Sequence, residues 1–137
     1  MTMRNKENSA ESYKELVIND TIYYGMHALI SMQNCSEDIT SIEFMKTLLV
    51  EIVEKINMTA FKEPMVFRFG EGNQVGLSGV QLIETSLISF HTNDMKRDLY
   101  LDVFSCKSFS TDDLEQYLSS RLSDSDTRFE LTVVLRK

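Results

Sequence analysis

The chain has 137 residues, with 14 basic and 21 acidic side chains and a formal net charge of −7. Its length is that of a single domain with its own core, and its apolar (42%) and charged (26%) fractions exclude a wholly disordered protein. The acidic balance argues against nucleic acid as a partner.

The N-terminal residues 1–15 are rich in Asn, Lys, Glu and Ser, which predicts a flexible arm ahead of a single domain at residues 16–137. No apolar segment has the pattern of a signal peptide or the length of a membrane span. The two cysteines, Cys35 and Cys106, form no metal-binding motif. These features predict a cytoplasmic protein with no membrane partner and no bound metal.

The first predicted elements are a strand and a helix. Residues 24–32 are moderately apolar and are predicted to form a strand. Thr40 and Glu43 have the spacing of a capping box. An amphipathic helix is predicted over residues 41–56, because apolar side chains recur there at helical spacing: Ile42, Met45, Leu49, Ile52, Val53 and Ile56.

Strands dominate the middle of the chain. Pro64 precedes a predicted strand at 65–69, and a glycine-rich turn follows it. Further strands are predicted at 77–84, 86–92 and 98–105. One face of the last of these strands is expected to present a set of alternate side chains: Tyr100, Asp102, Phe104 and, just beyond it, Cys106.

The chain continues with a helix predicted at 110–122, with Asp112 and Asp113 in its first turn, and a strand at 128–135. We summarise the order as βαβββαβ. It predicts an α+β fold, a two-layer sandwich with two helices on one face of a mostly antiparallel sheet. The uncovered face predicts a homodimer through the sheet, or a higher homo-oligomer.

Four side chains with reactive groups lie at fixed spacings. Ser86 follows Ser78 by eight residues and precedes His91 by five and Cys106 by twenty. A protein that cleaves its own backbone at a serine needs the hydroxyl as nucleophile, a donor for the oxyanion and a base for the serine α-proton. Taken singly, each could be an ordinary strand serine, core histidine or buried thiol. The combination is far more specific than any single residue.

The flanking segments carry a resemblance. Ser78-Gly-Val, Ser86-Leu-Ile-Ser-Phe-His-Thr92 and Leu101-Asp-Val-Phe-Ser-Cys106 resemble the pyruvoyl-dependent S-adenosylmethionine decarboxylase family of bacteria and phages. Weaker similarity extends over residues 24–122, so the resemblance covers most of the chain. It implies a carboxy-lyase with an S-adenosylmethionine decarboxylase-like fold that serves spermidine or putrescine biosynthesis.

The resemblance also implies a role for each of the four residues. The zymogen is cut between Thr85 and Ser86, and Ser86 becomes the pyruvoyl cofactor, which binds the substrate amine as a Schiff base. Ser78 and His91 assist the cleavage, with His91 as the proton acceptor. Cys106 is the acid that returns a proton to the product.

Two departures from the family's pattern bear on the substrate. The usual Glu-Ser-His is Thr85-Ser86-Leu87 here, and His-Thr-Trp-Pro-Glu is His91-Thr-Asn-Asp-Met95. The first departure resembles a divergent branch of the family, which has Glu-Thr-Ser at this point and can use L-ornithine or L-arginine. The substrate is therefore predicted to be either S-adenosylmethionine or a basic amino acid. A basic amino acid needs a carboxylate for its distal cation, and the candidates are Glu84, Asp94 and Asp102.

Two other functions stay open at this point. An uncleaved homologue would act as a lyase that breaks down S-adenosylmethionine or a related nucleoside. A non-catalytic homologue would instead regulate an active relative by forming a hetero-oligomer with it. The altered residues around Ser86 motivate both alternatives.

Overall fold

The computed structural model describes residues 13–137, so most of the predicted arm at residues 1–15 lies outside the described residues. Ten helices and strands follow one another along the described part of the chain, in this order: β1 (Leu16–Ile18), β2 (Thr21–Tyr23), β3 (Gly25–Gln33), α1 (Ile42–Lys55), β4 (Ala60–Phe69), β5 (Gly76–Ile83), β6 (Ser86–Asn93), β7 (Asp98–Ser105), α2 (Thr111–Leu122) and β8 (Arg128–Arg136). Short 3-10 turns occupy Glu37–Thr40 and Gly72–Gln74.

Six of the strands form one sheet in the order β4-β5-β6-β7-β3-β8, and every neighbouring pair is antiparallel. The two helices cover one face of this sheet, which confirms the predicted α+β two-layer fold. Four strands separate the helices, as the individual predictions at 65–69, 77–84, 86–92 and 98–105 indicate, so the written order βαβββαβ left one of them out.

The core lies between the helices and the inner face of the sheet. Alternate residues of the central strands are buried, as expected for strands with one covered face. Ala28 and Ile30 of β3 join one hydrophobic cluster with Leu49 and Ile52 of α1 and Leu118 of α2. On the opposite face, here called the outer face, the described residues leave side chains such as Leu29 and Tyr100 exposed.

Two local predictions need correction. Ser41, and not Thr40, caps α1, because the Ser41 hydroxyl accepts a hydrogen bond from the Phe44 amide at 3.1 Å. Thr40 closes the preceding 3-10 turn, where its hydroxyl donates to the Glu37 carbonyl at 2.8 Å. Strand β4 begins at Ala60 instead of residue 65, because Pro64 lies within a register shift on this edge strand.

The hairpin β1–β2 was not predicted. Its turn residues Asn19 and Asp20 both have positive φ angles, 50° and 66°. Two such residues fit the tight hairpin turn whose twist matches that of the strands, and Asn and Asp tolerate this conformation best after glycine. The Asn-Asp pair between two short apolar segments was therefore a sequence signal for this hairpin.

Candidate active site

The first part of the site is a serine–histidine pair on the outer face. Ser78 of β5 lies opposite His91 of β6, and the Ser78 hydroxyl is 2.9 Å from His91 Nδ1. Gly79 keeps these strands close, because a Cβ there would lie 2.3 Å from the Phe90 ring on the inner face. The geometry therefore holds an exposed imidazole next to a hydroxyl that fixes its orientation.

The second part is the hairpin turn that joins β5 to β6. Ser86 is the first residue of β6 and lies opposite Ser105 of β7. The carbonyl oxygen of Thr85 accepts a hydrogen bond from the Cys106 backbone N–H at 3.0 Å. The bond expected to break thus has a donor on the oxygen that would gain negative charge when Ser86 attacks.

The structure does not bring His91 of the same chain to Ser86. Five residues of extended strand separate them, about 16 Å, and their side chains point to opposite faces of the sheet. Strand β6 is unbroken from Ser86 onward and its pairing with both neighbours is regular. The four side chains therefore do not converge: Ser78 contacts His91, whereas Cys106 meets the Thr85–Ser86 bond through its backbone N–H.

A shallow depression on the outer face contains His91 and Asp102. Its volume is about 390 Å³, and its outer-face side chains are Leu29, Ser31, Ser89, His91, Tyr100 and Asp102. Asp102 is half-buried, and among residues 13–137 no side chain forms an ion pair with it. An unpaired carboxylate in such a depression can receive a cationic ligand.

The other two candidate carboxylates lie elsewhere. Glu84 is exposed in the turn next to the expected cleavage point, where its backbone N–H donates to the Thr59 carbonyl at 2.9 Å. Asp94 lies just beyond the far end of β6, and Arg68 Nε donates to its Oδ2 at 3.0 Å. Arg68 therefore already neutralises Asp94, whereas Glu84 and Asp102 keep their charge available.

One titratable group on the outer face was missed at the sequence level. His27 of β3 lies opposite Phe104 of β7, and the two rings stack 4.0 Å apart with an interplanar angle of 13°. The Arg136 guanidinium lies 5.5 Å from the centre of the same Phe104 ring. The alternation of β7 placed Phe104 and Cys106 on one face, but only the β3–β7 register shows that His27 lies beside them.

The two thiols differ strongly in their surroundings. Cys35 is fully buried, and this burial, with a smaller contribution from the charge of Asp98, raises its pKa to about 11. Cys106 is partly exposed. Only Cys106 is thus placed to exchange a proton with a bound molecule.

We expect iodoacetamide at pH 8 to label the native protein once, at Cys106. A raised pKa lowers the thiolate fraction, and a thiol of pKa 11 is ionised to about one part in a thousand at pH 8. Peptide mapping by mass spectrometry reads out the site. Cys106→Ala should remove the label and Cys35→Ala should leave it, and equal labelling of both thiols in the native protein would contradict the assignment.

Two absences can be reported for the described part of the chain. Within residues 13–137, no three side chains of the metal-binding types converge on a common point. In the same residues, neither helix has the length and apolar character needed to cross a bilayer.

Comparison with known proteins gives two matches. The model of the S-adenosylmethionine decarboxylase family matches residues 26–137, which contain both parts of the site. A protein of Thermodesulfovibrio yellowstonii named S-adenosylmethionine decarboxylase proenzyme is 35% identical over 83 residues. That alignment covers 60% of this chain and 58% of the relative, so it spans less than two thirds of the relative's length.

Proposed function

This chain belongs to the S-adenosylmethionine decarboxylase family, and on that premise we propose that it is a self-processing carboxy-lyase. It cuts its own backbone between Thr85 and Ser86 and decarboxylates an amine-bearing substrate in polyamine biosynthesis. One observation carries the proposal: the Cys106 N–H donates to the carbonyl oxygen of Thr85, the atom that becomes negative when the bond is attacked.

The chemistry of the cleavage needs only this chain and one water molecule. The Ser86 hydroxyl adds to the Thr85 carbonyl carbon, the C–N bond breaks, and the hydroxyl proton passes to the freed amine, which leaves an ester. A base then removes the Ser86 α-proton, and Thr85 departs as a carboxylate. Water converts the remaining dehydroalanine into a pyruvoyl group with loss of ammonia.

The residues around Ser86 fit a pyruvoyl group. Ser86 begins a strand directly after a tight turn, so the new chain ends can separate without loss of the β5–β6 pairing. Once formed, the pyruvoyl group supplies an electron sink for loss of the substrate carboxylate. Cys106 directly follows Ser105, the residue paired with Ser86, and its partly exposed thiol would then return a proton to the product.

We further propose that two copies share the site as a homodimer. His91 lies about 16 Å along the strand from Ser86, so it needs another chain's Ser86 to act on. The outer face is also unusually apolar for a solvated surface. Its exposed apolar side chains include Leu29, Leu82, Leu87, Tyr100 and Val134. A second copy seated on this face would cover them. Its Ser78–His91 pair would approach the Ser86 backbone from the side opposite the Ser86 hydroxyl, where a base acts on the α-proton.

For the substrate, we propose either S-adenosylmethionine or a basic amino acid such as L-ornithine or L-arginine. Asp102 is the favoured partner for a distal cation, because it shares the depression with His91 and has no ion pair among residues 13–137. Glu84 is the second candidate, since its carboxylate is free in the turn. Asp94 is the weakest, because Arg68 already binds it.

The proposal is tested by the intact mass of the protein under denaturing conditions. We expect two fragments, residues 1–85 and 86–137, with the second blocked at its N-terminus by a pyruvoyl group. Borohydride reduction in the presence of each candidate amine should then attach the true substrate covalently to the second fragment. A single uncut chain would contradict the proposed function.

Asp102→Asn provides the matched test of the substrate. If the substrate is a basic amino acid, this variant should still cut itself but capture the amine at least about tenfold less well, as expected for loss of a charge-assisted contact. Equal capture by the variant would remove Asp102 from the substrate site.

A further inference from the structure

The side chain of Thr85 lies at the centre of a partly buried hydrogen-bond chain. The Lys107 N–H donates to Ser105 Oγ at 3.0 Å, and Ser105 Oγ donates to Thr85 Oγ1 at 2.9 Å. Thr85 Oγ1 in turn lies 3.3 Å from the sulfur of Met58, to which it donates. Ser105 is fully buried, so its hydroxyl needs partners within the protein: besides Thr85, the Met58 sulfur lies 3.7 Å from Ser105 Oγ.

Thr85 is therefore held at two points on either side of its carbonyl carbon. Its carbonyl oxygen accepts from the Cys106 N–H at 3.0 Å, and its hydroxyl accepts from Ser105 at 2.9 Å. These contacts come from consecutive residues of the same segment, which continues from β7. Together they fix the rotation of the peptide plane that Ser86 must attack.

Attack on a carbonyl is fast only when the nucleophile and the carbon are held in a near-attack geometry. A serine that attacks the preceding carbonyl can reach it from its own side chain, but the peptide plane must present the carbonyl face to the hydroxyl. Without the two hydrogen bonds to Thr85, this peptide plane would be free to rotate. The chain carries threonine at this position, where the resembled family has glutamate, and Ser105 provides its partner.

We propose that Thr85 and Ser105 are positioning residues for the first step of self-cleavage, acting through the orientation of the Thr85–Ser86 peptide. In that step the Ser86 Oγ–C bond forms, the Thr85–Ser86 C–N bond breaks, and the hydroxyl proton moves to the Ser86 nitrogen. No other reactant is consumed. This inference rests on the proposed function, and its test is a cleavage rate that needs no substrate.

The test is the rate of fragment formation in Thr85→Val and Ser105→Ala, followed by denaturing mass spectrometry after synthesis in a cell-free system. Valine keeps the shape of threonine and removes only the hydroxyl. We expect each variant to cleave about tenfold more slowly, as for the loss of one aligned hydrogen bond in a transition state. Thr85→Ser, which keeps the hydroxyl, should restore the rate.

Hydroxylamine identifies the affected step, because it cleaves an ester but not a peptide bond under mild conditions. In Thr85→Val the ester forms slowly and is consumed as it forms, so it does not accumulate and hydroxylamine should release no additional fragment. His91→Ala, in which the base of the later step is missing, should instead accumulate the ester and release both fragments on treatment. Release of fragments from Thr85→Val by hydroxylamine would place the defect at the later step and overturn the proposal.

A general loss of stability is controlled by Ser41→Ala. This variant removes the cap of α1, which typically costs about 1 kcal/mol of stability, and the Ser41 hydroxyl bonds to Phe44 within its own helix. It should cleave at the wild-type rate. If Thr85→Val and Ser105→Ala are cut as fast as the wild type, the hydrogen bond between Thr85 and Ser105 has no role in cleavage. If the wild type itself stays uncut, the proposed function is overturned.

Discussion

Replacement of Ser86 by alanine is expected to leave the protein as one uncut chain without decarboxylase activity. Alanine has no hydroxyl to add to the Thr85 carbonyl, so neither the ester nor the pyruvoyl group can form. We expect both cleavage and decarboxylase activity to be lost completely, because alanine at position 86 cannot be converted into the electrophile. Denaturing mass spectrometry should show the full-length mass only, and borohydride should attach no amine.

A matched control is Ser120→Ala on the helix layer, which removes a serine hydroxyl that donates to the Tyr117 carbonyl at 2.7 Å. It should be cut like the wild type. Cleavage of Ser86→Ala between residues 85 and 86 would show that Ser86 is not the nucleophile. If the wild type itself stays uncut, the two remaining functions are the lyase, which would form methylthioadenosine without release of carbon dioxide, and the regulatory partner.

Much of the fold follows from hydrophobic periodicity. The helical spacing of Met45, Leu49 and Ile52 corresponds to the buried face of α1, and the alternation in β7 corresponds to its two faces. Element ends were less predictable, because they depend on which polar group satisfies a backbone donor. Serine and threonine both cap helices well. The 3-10 turn at Glu37–Thr40 includes Thr40, so Ser41, the next residue, caps α1.

The pairing of Ser78 with His91 was predictable in principle. A two-residue turn at 84–85 pairs residue 83 with 86, and counting outward pairs 78 with 91, as observed. The spacings of eight and five residues about Ser86 are thus the register of a tight hairpin. Residues five apart in one strand point to opposite faces, as Ser86 and His91 do in β6.

The neighbours contributed by other strands were not predictable from the sequence. The register between β3 and β7 depends on how two strands more than sixty residues apart in the chain pack together, and no local pattern reports it. That register places His27 on Phe104, and the β6–β7 register places the Cys106 N–H at the Thr85 carbonyl. Tertiary packing therefore supplies the donor that we propose for the oxyanion, whereas the local sequence supplies the proposed nucleophile.

Cleavage should also be restored when two inactive variants are produced together. Ser86→Ala lacks the nucleophile but keeps the Ser78–His91 pair, and His91→Ala lacks the base but keeps Ser86. In a shared site, a mixed dimer contains one complete set: Ser86 from one chain and His91 from the other. We expect the His91→Ala chain to be cut in the mixture although neither variant is cut to completion alone.

The experiment uses chains with different affinity tags, co-expressed and then analysed by denaturing mass spectrometry, so that each fragment is assigned to its parent. Fragments 1–85 and 86–137 should come only from the His91→Ala chain. As a control, the double variant Ser86→Ala/His91→Ala should give no rescue, because the mixture then contains no His91.

The mixed dimer can be purified through its two tags. If the purified mixed dimer shows no rescue, His91 acts on Ser86 of its own chain. The strand would then have to bend at Ser86 to cross the roughly 16 Å between them. Rescue would instead explain why β6 stays straight and why the outer face is apolar: the second copy provides the base, and β6 needs no distortion to reach it.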